Sequence, residues 1–294
     1  MSSTVETEEK RAAGGGEAAN LNDWSLWARQ TLAVLRLELG KNFLGRRALL
    51  LYTLAGLPLM VIAAAVAFGE LSDGDFRNFA GVGTAYSVVY GGLILRTLLF
   101  FGCAWVFMNL FRGEVVDRSL HYYFLAPVRR EVLVVGKYLS GVVATTTLFG
   151  ITTLGSFALL YFGLFPTQSA EYVFNGPGFG QALTYAGITA LACVGYGAVF
   201  LLVGLFFRNP IIPALLIYGW EWLNFLLPPL LKKASVIHYL QSLSPVPPKL
   251  GPLAVLAEPT PAWISVPSLL VFTALTLALA GLHIRRQEIS YAGE

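Results

Sequence analysis

Charge is scarce in this chain. Only 13% of its 294 residues are charged, against 56% hydrophobic, and mean hydropathy is +0.65. Soluble domains carry roughly a quarter charged residues, so an ordinary water-soluble fold is excluded. Two cysteines, Cys103 and Cys193, each inside an apolar run, supply neither a disulfide framework nor a thiolate metal site. The three histidines, His121, His238 and His283, are too scattered to compose a metal set and read as structural. No G-x-x-x-x-G-K-[ST] phosphate loop occurs; the nearest approach, Gly136-Lys137, is followed by Tyr138. There is no H-E-x-x-H, no acid pair at helical spacing within one apolar run, and no recognisable nucleophile and base, which argues against an intramembrane enzyme. A net charge of +3 without a basic, aromatic-interleaved run sets nucleic acid aside.

Long apolar runs are what the chain has. Six of them, at about 48–68, 80–111, 138–165, 181–207, 210–231 and 263–284, reach the ~20 residues that span hydrocarbon. The predicted class is therefore an all-α integral membrane protein with six transmembrane helices. Residues 1–20, rich in Glu, Ser, Ala and Gly, read as a disordered tail, and residues 21–294 as one membrane domain. The tail has no signal-like apolar core, which predicts a cytoplasmic N-terminus.

Over 23–44 the residues Trp24, Trp27, Thr31, Leu32, Leu35 and Leu39 recur at three- and four-residue spacing, with Arg29, Arg36 and Lys41 mostly elsewhere. Such a helix suits the headgroup layer, with Trp24, Trp27 and Arg36 at the membrane interface; packing on protein is the alternative. Lys and Arg in the loops divide fifteen to four in favour of one side, which puts both termini in the cytoplasm. The connection 112–137 is then the longest inner loop, and 232–262 is a proline-rich outer loop carrying three lysines against the bias.

The inner loop reads R-G-E-V-V-D-R-S-L-H-Y-Y-F-L-A-P-V-R-R-E-V-L-V-V-G-K-Y-L. Glu114 and Asp117 lead into a short predicted helix through Phe124, where acids favour the N-terminal end, and Pro127 stops or bends it. Arg129, Arg130 and Lys137 are placed to hold inner-leaflet phosphates or a partner's acids. By order and spacing this stretch resembles the cytoplasmic loop of permease subunits of type 2 ATP-binding-cassette (ABC) transporters. The amphipathic N-terminal helix, the stretch "YGWEWLNFLLPPLLKKASVIHYLQSLSP" (218–245) and a last span ending in "HIRRQEIS" (283–290) resemble other parts of that family. The resemblance implies a type 2 ABC exporter fold and a coupling helix that docks on a cytoplasmic ATPase subunit. Glu114, Asp117, Leu120, Tyr122, Tyr123, Pro127, Arg129 and Arg130 would make that contact. It also implies two ATPase copies that bind ATP and Mg, a second permease copy (the same chain or another), and the cytoplasmic (inner) membrane as the location.

Two ionisable residues lie deep in apolar runs, Arg96 and Glu221. At 1.5 Å per residue they stand ~22 Å and ~16 Å from the inner ends of their spans, close enough to bridge. An ion pair between helices, a substrate-lining role and no contact at all are the alternatives. Glycines 91, 92, 150, 155, 187, 195, 197 and 204 predict close helix packing.

Overall fold

The structure, a computed structural model, describes residues 24–45, 48–68, 78–116, 130–207, 209–247 and 258–286, with the backbone alone at 112–116, 130 and 286. Among them every regular element is helical. In chain order these are α1 (24–44), α2 (Ala48–Ala67), α3 (Phe79–Val89), a π-helical stretch Tyr90–Leu99, α4 (Phe100–Val116), α5 (Arg130–Leu164), α6 (Pro166–Phe174), α7 (Gly178–Phe206), α8 (Ile211–Trp222) with a 3₁₀ turn Leu223–Leu226, α9 (Pro229–Lys232), α10 (Val236–Ser242) and α11 (Ala262–Arg286).

Among the described residues, five helical stretches are long and apolar enough to cross a bilayer: Ala48–Ala67, Phe79–Phe111, Glu131–Leu164, Gly178–Phe206 and Ala262–Arg285. The run predicted as a sixth span over 210–231 forms a shorter apolar helix, Ile211–Leu226. Pro228 and Pro229 follow, and their missing N–H groups end the helix there. The third span begins at Glu131, seven residues before the predicted 138, while α4 runs on to Val116. The connection predicted over 112–137 thus narrows to 117–129.

Helices α4, α5 and α7 make the core, with α2 laid on α5 and α11 on α7. Small residues allow the central approach. A Cβ at Gly197 would lie 2.5 Å from Phe107, one at Gly141 2.6 Å from the same ring, and one at Gly204 2.9 Å from the Met108 backbone. Gly155 packs on Leu59 in the same way, whereas Gly91, Gly92, Gly150 and Gly187 have nothing within 4 Å and do not serve packing.

Buried polar side chains sit within the apolar core, and apolar side chains also cover the exterior. Tyr86, Tyr90, Thr153, Ser156 and Thr189 are buried, while Leu49, Met60, Ile151, Leu216 and Leu275 stand exposed on the outer faces. Large exposed apolar faces of this kind are untenable in water and ordinary in lipid. The chain is an all-α membrane protein.

Candidate functional site

Where the third span begins, a single lysine gathers three elements. Lys137 is 0% exposed, and its Nζ donates to Glu38 Oε1 at 2.9 Å and to the Leu110 carbonyl at 2.9 Å. It also sits 5.2 Å from the centroid of the Phe111 ring. Glu38, 4% exposed, takes a second bond from Lys41 Nζ at 3.0 Å. Glycine beside the lysine makes this possible: a Cβ at Gly136 would stand 2.9 Å from Val34 and 3.3 Å from the Thr31 carbonyl, so α1 lies directly on α5. Burial pushes the Glu38 carboxyl up, but the charges and hydrogen bonds of Lys137 and Lys41 outweigh it and hold it below its ordinary value. Lys137 is thus no phosphate-holding surface anchor, as the sequence suggested. It is an internal tie between α1 and both helices that flank the 117–129 connection. An ion pair between Glu131 and Arg285 adds α11 to the same end.

Glu38 was missed by sequence reasoning, although a signal existed: it is the sole acid in 24–44 and falls four residues after Val34 on the packed side. The helix is two-sided. Thr31, Val34 and Glu38 face α5, while Trp24 (73% exposed), Leu26, Leu32 and Leu37 remain uncovered and Arg36 is exposed. Trp24 and Trp27 hold one another with ring centroids 5.0 Å apart.

A second polar assembly surrounds α10. Glu221, at the end of α8, is 6% exposed. Its carboxylate accepts from the Val236 N–H (3.0 Å), the Ile237 N–H (2.9 Å), Ser235 Oγ (2.9 Å) and Tyr196 Oη (3.1 Å). It therefore caps the first turn of α10, whose N–H groups have no partners within the helix. Arg96, on the π-helical stretch, reaches the other end of the same segment. Its Nη2 donates to Gln241 Oε1 at 3.2 Å and its Nη1 approaches the Trp222 carbonyl at 3.5 Å. Arg96 and Glu221 do not meet as an ion pair; they hold one folded segment from two sides. His238, also buried, bonds Thr260 Oγ1 at 3.0 Å and fastens α10 to the start of α11.

A chain of buried hydroxyls lies beyond Arg96 on the side away from Lys137. Tyr86 Oη donates to the Thr153 carbonyl (2.9 Å), Tyr90 Oη donates to the Tyr185 carbonyl (3.1 Å) and bonds Thr189 Oγ1 (3.0 Å), and Thr189 bonds Thr153 Oγ1 at 2.9 Å. These bonds cross α3, α5 and α7 and satisfy polar groups that lipid cannot. A cavity of about 350 Å³ opens beside Glu221, lined by Tyr196, Val199, Leu216, Trp220 and Phe272.

The predicted coupling residues Asp117, Leu120, Tyr122, Tyr123, Pro127 and Arg129 lie outside the described residues. Glu114 falls in the last turns of α4 and Arg130 opens α5. Among the described residues no group of three or more His, Cys, Asp or Glu could hold a metal ion. No protein-family model, no curated protein and no solved structure matches the chain.

Proposed function

We propose that this chain is the membrane-spanning permease subunit of a type 2 ABC transporter, moving a substrate, in the export direction, across the cytoplasmic membrane. ATP and Mg are bound and spent by two copies of a separate cytoplasmic ATPase, and a second permease copy completes the assembly. The observation that carries this reading is the tie at Lys137. A coupling element must transmit displacement, and an exposed loop on slack helix ends would dissipate it. Here Leu110 on one side of the 117–129 connection and Lys137 on the other are joined through one ammonium group, and Glu38 extends the joint to α1. A pull on the connection is therefore delivered to α1, α4 and α5 together, which is what switching between inward and outward access requires.

The test is the pair Leu120→Asp with Tyr122→Asp, on the predicted contact helix. Membrane insertion should be normal and ATPase association lost, read by copurification from the membrane fraction. Undiminished association and transport in the double variant would refute the coupling assignment.

A further inference from the structure

The face that α1 turns away from the bundle differs from the face it buries. Thr31, Val34 and Glu38 lie on α5. Arg29 stands two positions before Thr31 and Arg36 two before Glu38, about 200° around the helix, so the two arginines share the opposite side. Both are exposed, and neither has a hydrogen bond or ion pair with any described residue. Seven positions apart, they are separated by ~10 Å along the axis. Leu32 borders them on one side and Leu26 and Leu37 on the other, all three exposed. No acid of α1 offsets this face: Glu38, the sole acid in 24–44, is buried on the far side and bonded to Lys137 and Lys41.

Two ties fix α1 against the membrane-spanning helices. The span Ala48–Ala67 carries no charged residue, and its 20 residues cover ~30 Å, the thickness of the hydrocarbon core, which leaves Ala48 at one edge of it. α1 ends at Leu44, three residues short of that edge, and Tyr52 in the second turn of the span donates to the Phe43 carbonyl at 2.8 Å. Closer to its middle, Val34 packs on Gly136 of α5. The C-terminal half of α1, with Arg36, is thereby held at the level of the phospholipid headgroups.

We infer that the outward face of α1 is a binding surface for anionic phospholipid, with Arg29 and Arg36 on the phosphates of neighbouring headgroups and apolar contact from the leucines that border them. Arginine takes a phosphate through a bidentate fork, and a helix with basic and apolar residues on its uncovered sides suits the boundary between headgroups and acyl chains. Each basic residue close to an anionic leaflet strengthens association about fivefold, so the pair favours anionic over zwitterionic lipid by about 25-fold. On the sequence-derived topology this is the cytoplasmic leaflet, the anionic one. Lipid held here braces α1 on the Glu38–Lys137 tie, so binding is read as stabilisation of the whole chain. The surface needs no ATPase partner and stands or falls separately from the permease assignment.

The test uses the purified full chain in dodecyl maltoside, titrated with dioleoylphosphatidylglycerol or dioleoylphosphatidylcholine while the thermal midpoint is followed to saturation. Wild type should bind phosphatidylglycerol about 25-fold more tightly than phosphatidylcholine. Arg29→Gln with Arg36→Gln should abolish that preference and leave the phosphatidylcholine response and the lipid-free midpoint unchanged, since both side chains are exposed. Equal affinity for the two lipids in wild type overturns the proposal. So does a preference that survives in the double variant, because it then belongs to charges elsewhere in the chain. Should the double variant fail to fold, Arg36→Gln alone is read in the same way, with about a fivefold loss of phosphatidylglycerol affinity expected and undiminished affinity as the contradicting result.

Discussion

At the scale of single residues, the strongest constraint is the buried pair Glu38–Lys137. Removing one member leaves the other charged and desolvated, which costs about 3–5 kcal/mol, whereas replacing both by apolar residues of similar size is near neutral. Lys137→Met should therefore lower the thermal midpoint sharply, and Glu38→Leu with Lys137→Met should recover most of it; no recovery would mean the pair does more than tie α1 down. The sign of the pH effect follows from the depressed Glu38 carboxyl. Its contribution is complete above the ordinary value of 4.5 and fades as pH falls below that towards the lower folded value. Stability in detergent, followed from pH 7 downwards, should show this loss in wild type and not in the double variant. Arg96 and Glu221 were legible as special because ionisable groups are rare in apolar runs. Their partners were not, since Glu221 collects donors from the α10 segment and from Tyr196 on α7, while Arg96 reaches Gln241, 145 positions away. Lys137 was misread for the same reason: a lysine next to a basic run looks exposed until Glu38, 99 positions distant, is brought to it.

At the scale of elements, five spans could be read from hydropathy because length and apolarity are local properties. The end of the run at 210–231 was also written locally, in the Pro228-Pro229 pair, and the helix there, Ile211–Leu226, is shorter than the apolar run. The π-helical stretch had no comparable mark. Its ten residues keep a looser register that Thr97 Oγ1 supports by bonding the Gly92 carbonyl at 3.1 Å, and this register presents Arg96 to the α10 segment. Glycines show the limit of reading packing from composition: of two with the same appearance, Gly197 faces Phe107 and Gly150 faces open space. Gly197→Leu should destabilise by about 1–3 kcal/mol or more through overpacking, while Gly150→Ala should be neutral or stabilising by up to about 1 kcal/mol from helix propensity. Thermal midpoints of the two variants side by side check this, and equal losses would show that the α4–α7 seam is placed wrongly.

At the scale of the whole molecule, an apolar exterior surrounds an apolar core threaded by buried hydroxyl bonds, with a charge-tied knot where the third span begins and a capped, cationic segment around α10. The knot joins the helices flanking the 117–129 connection to α1, and that geometry makes sense if force enters from a partner at that end. The most direct measurement is to tag the chain in its own host, solubilise it gently, and identify and count what copurifies. The account predicts a Walker-motif ATPase in equal amount with this chain. Clean recovery without any ATPase, under conditions where a known transporter keeps its own, would contradict it.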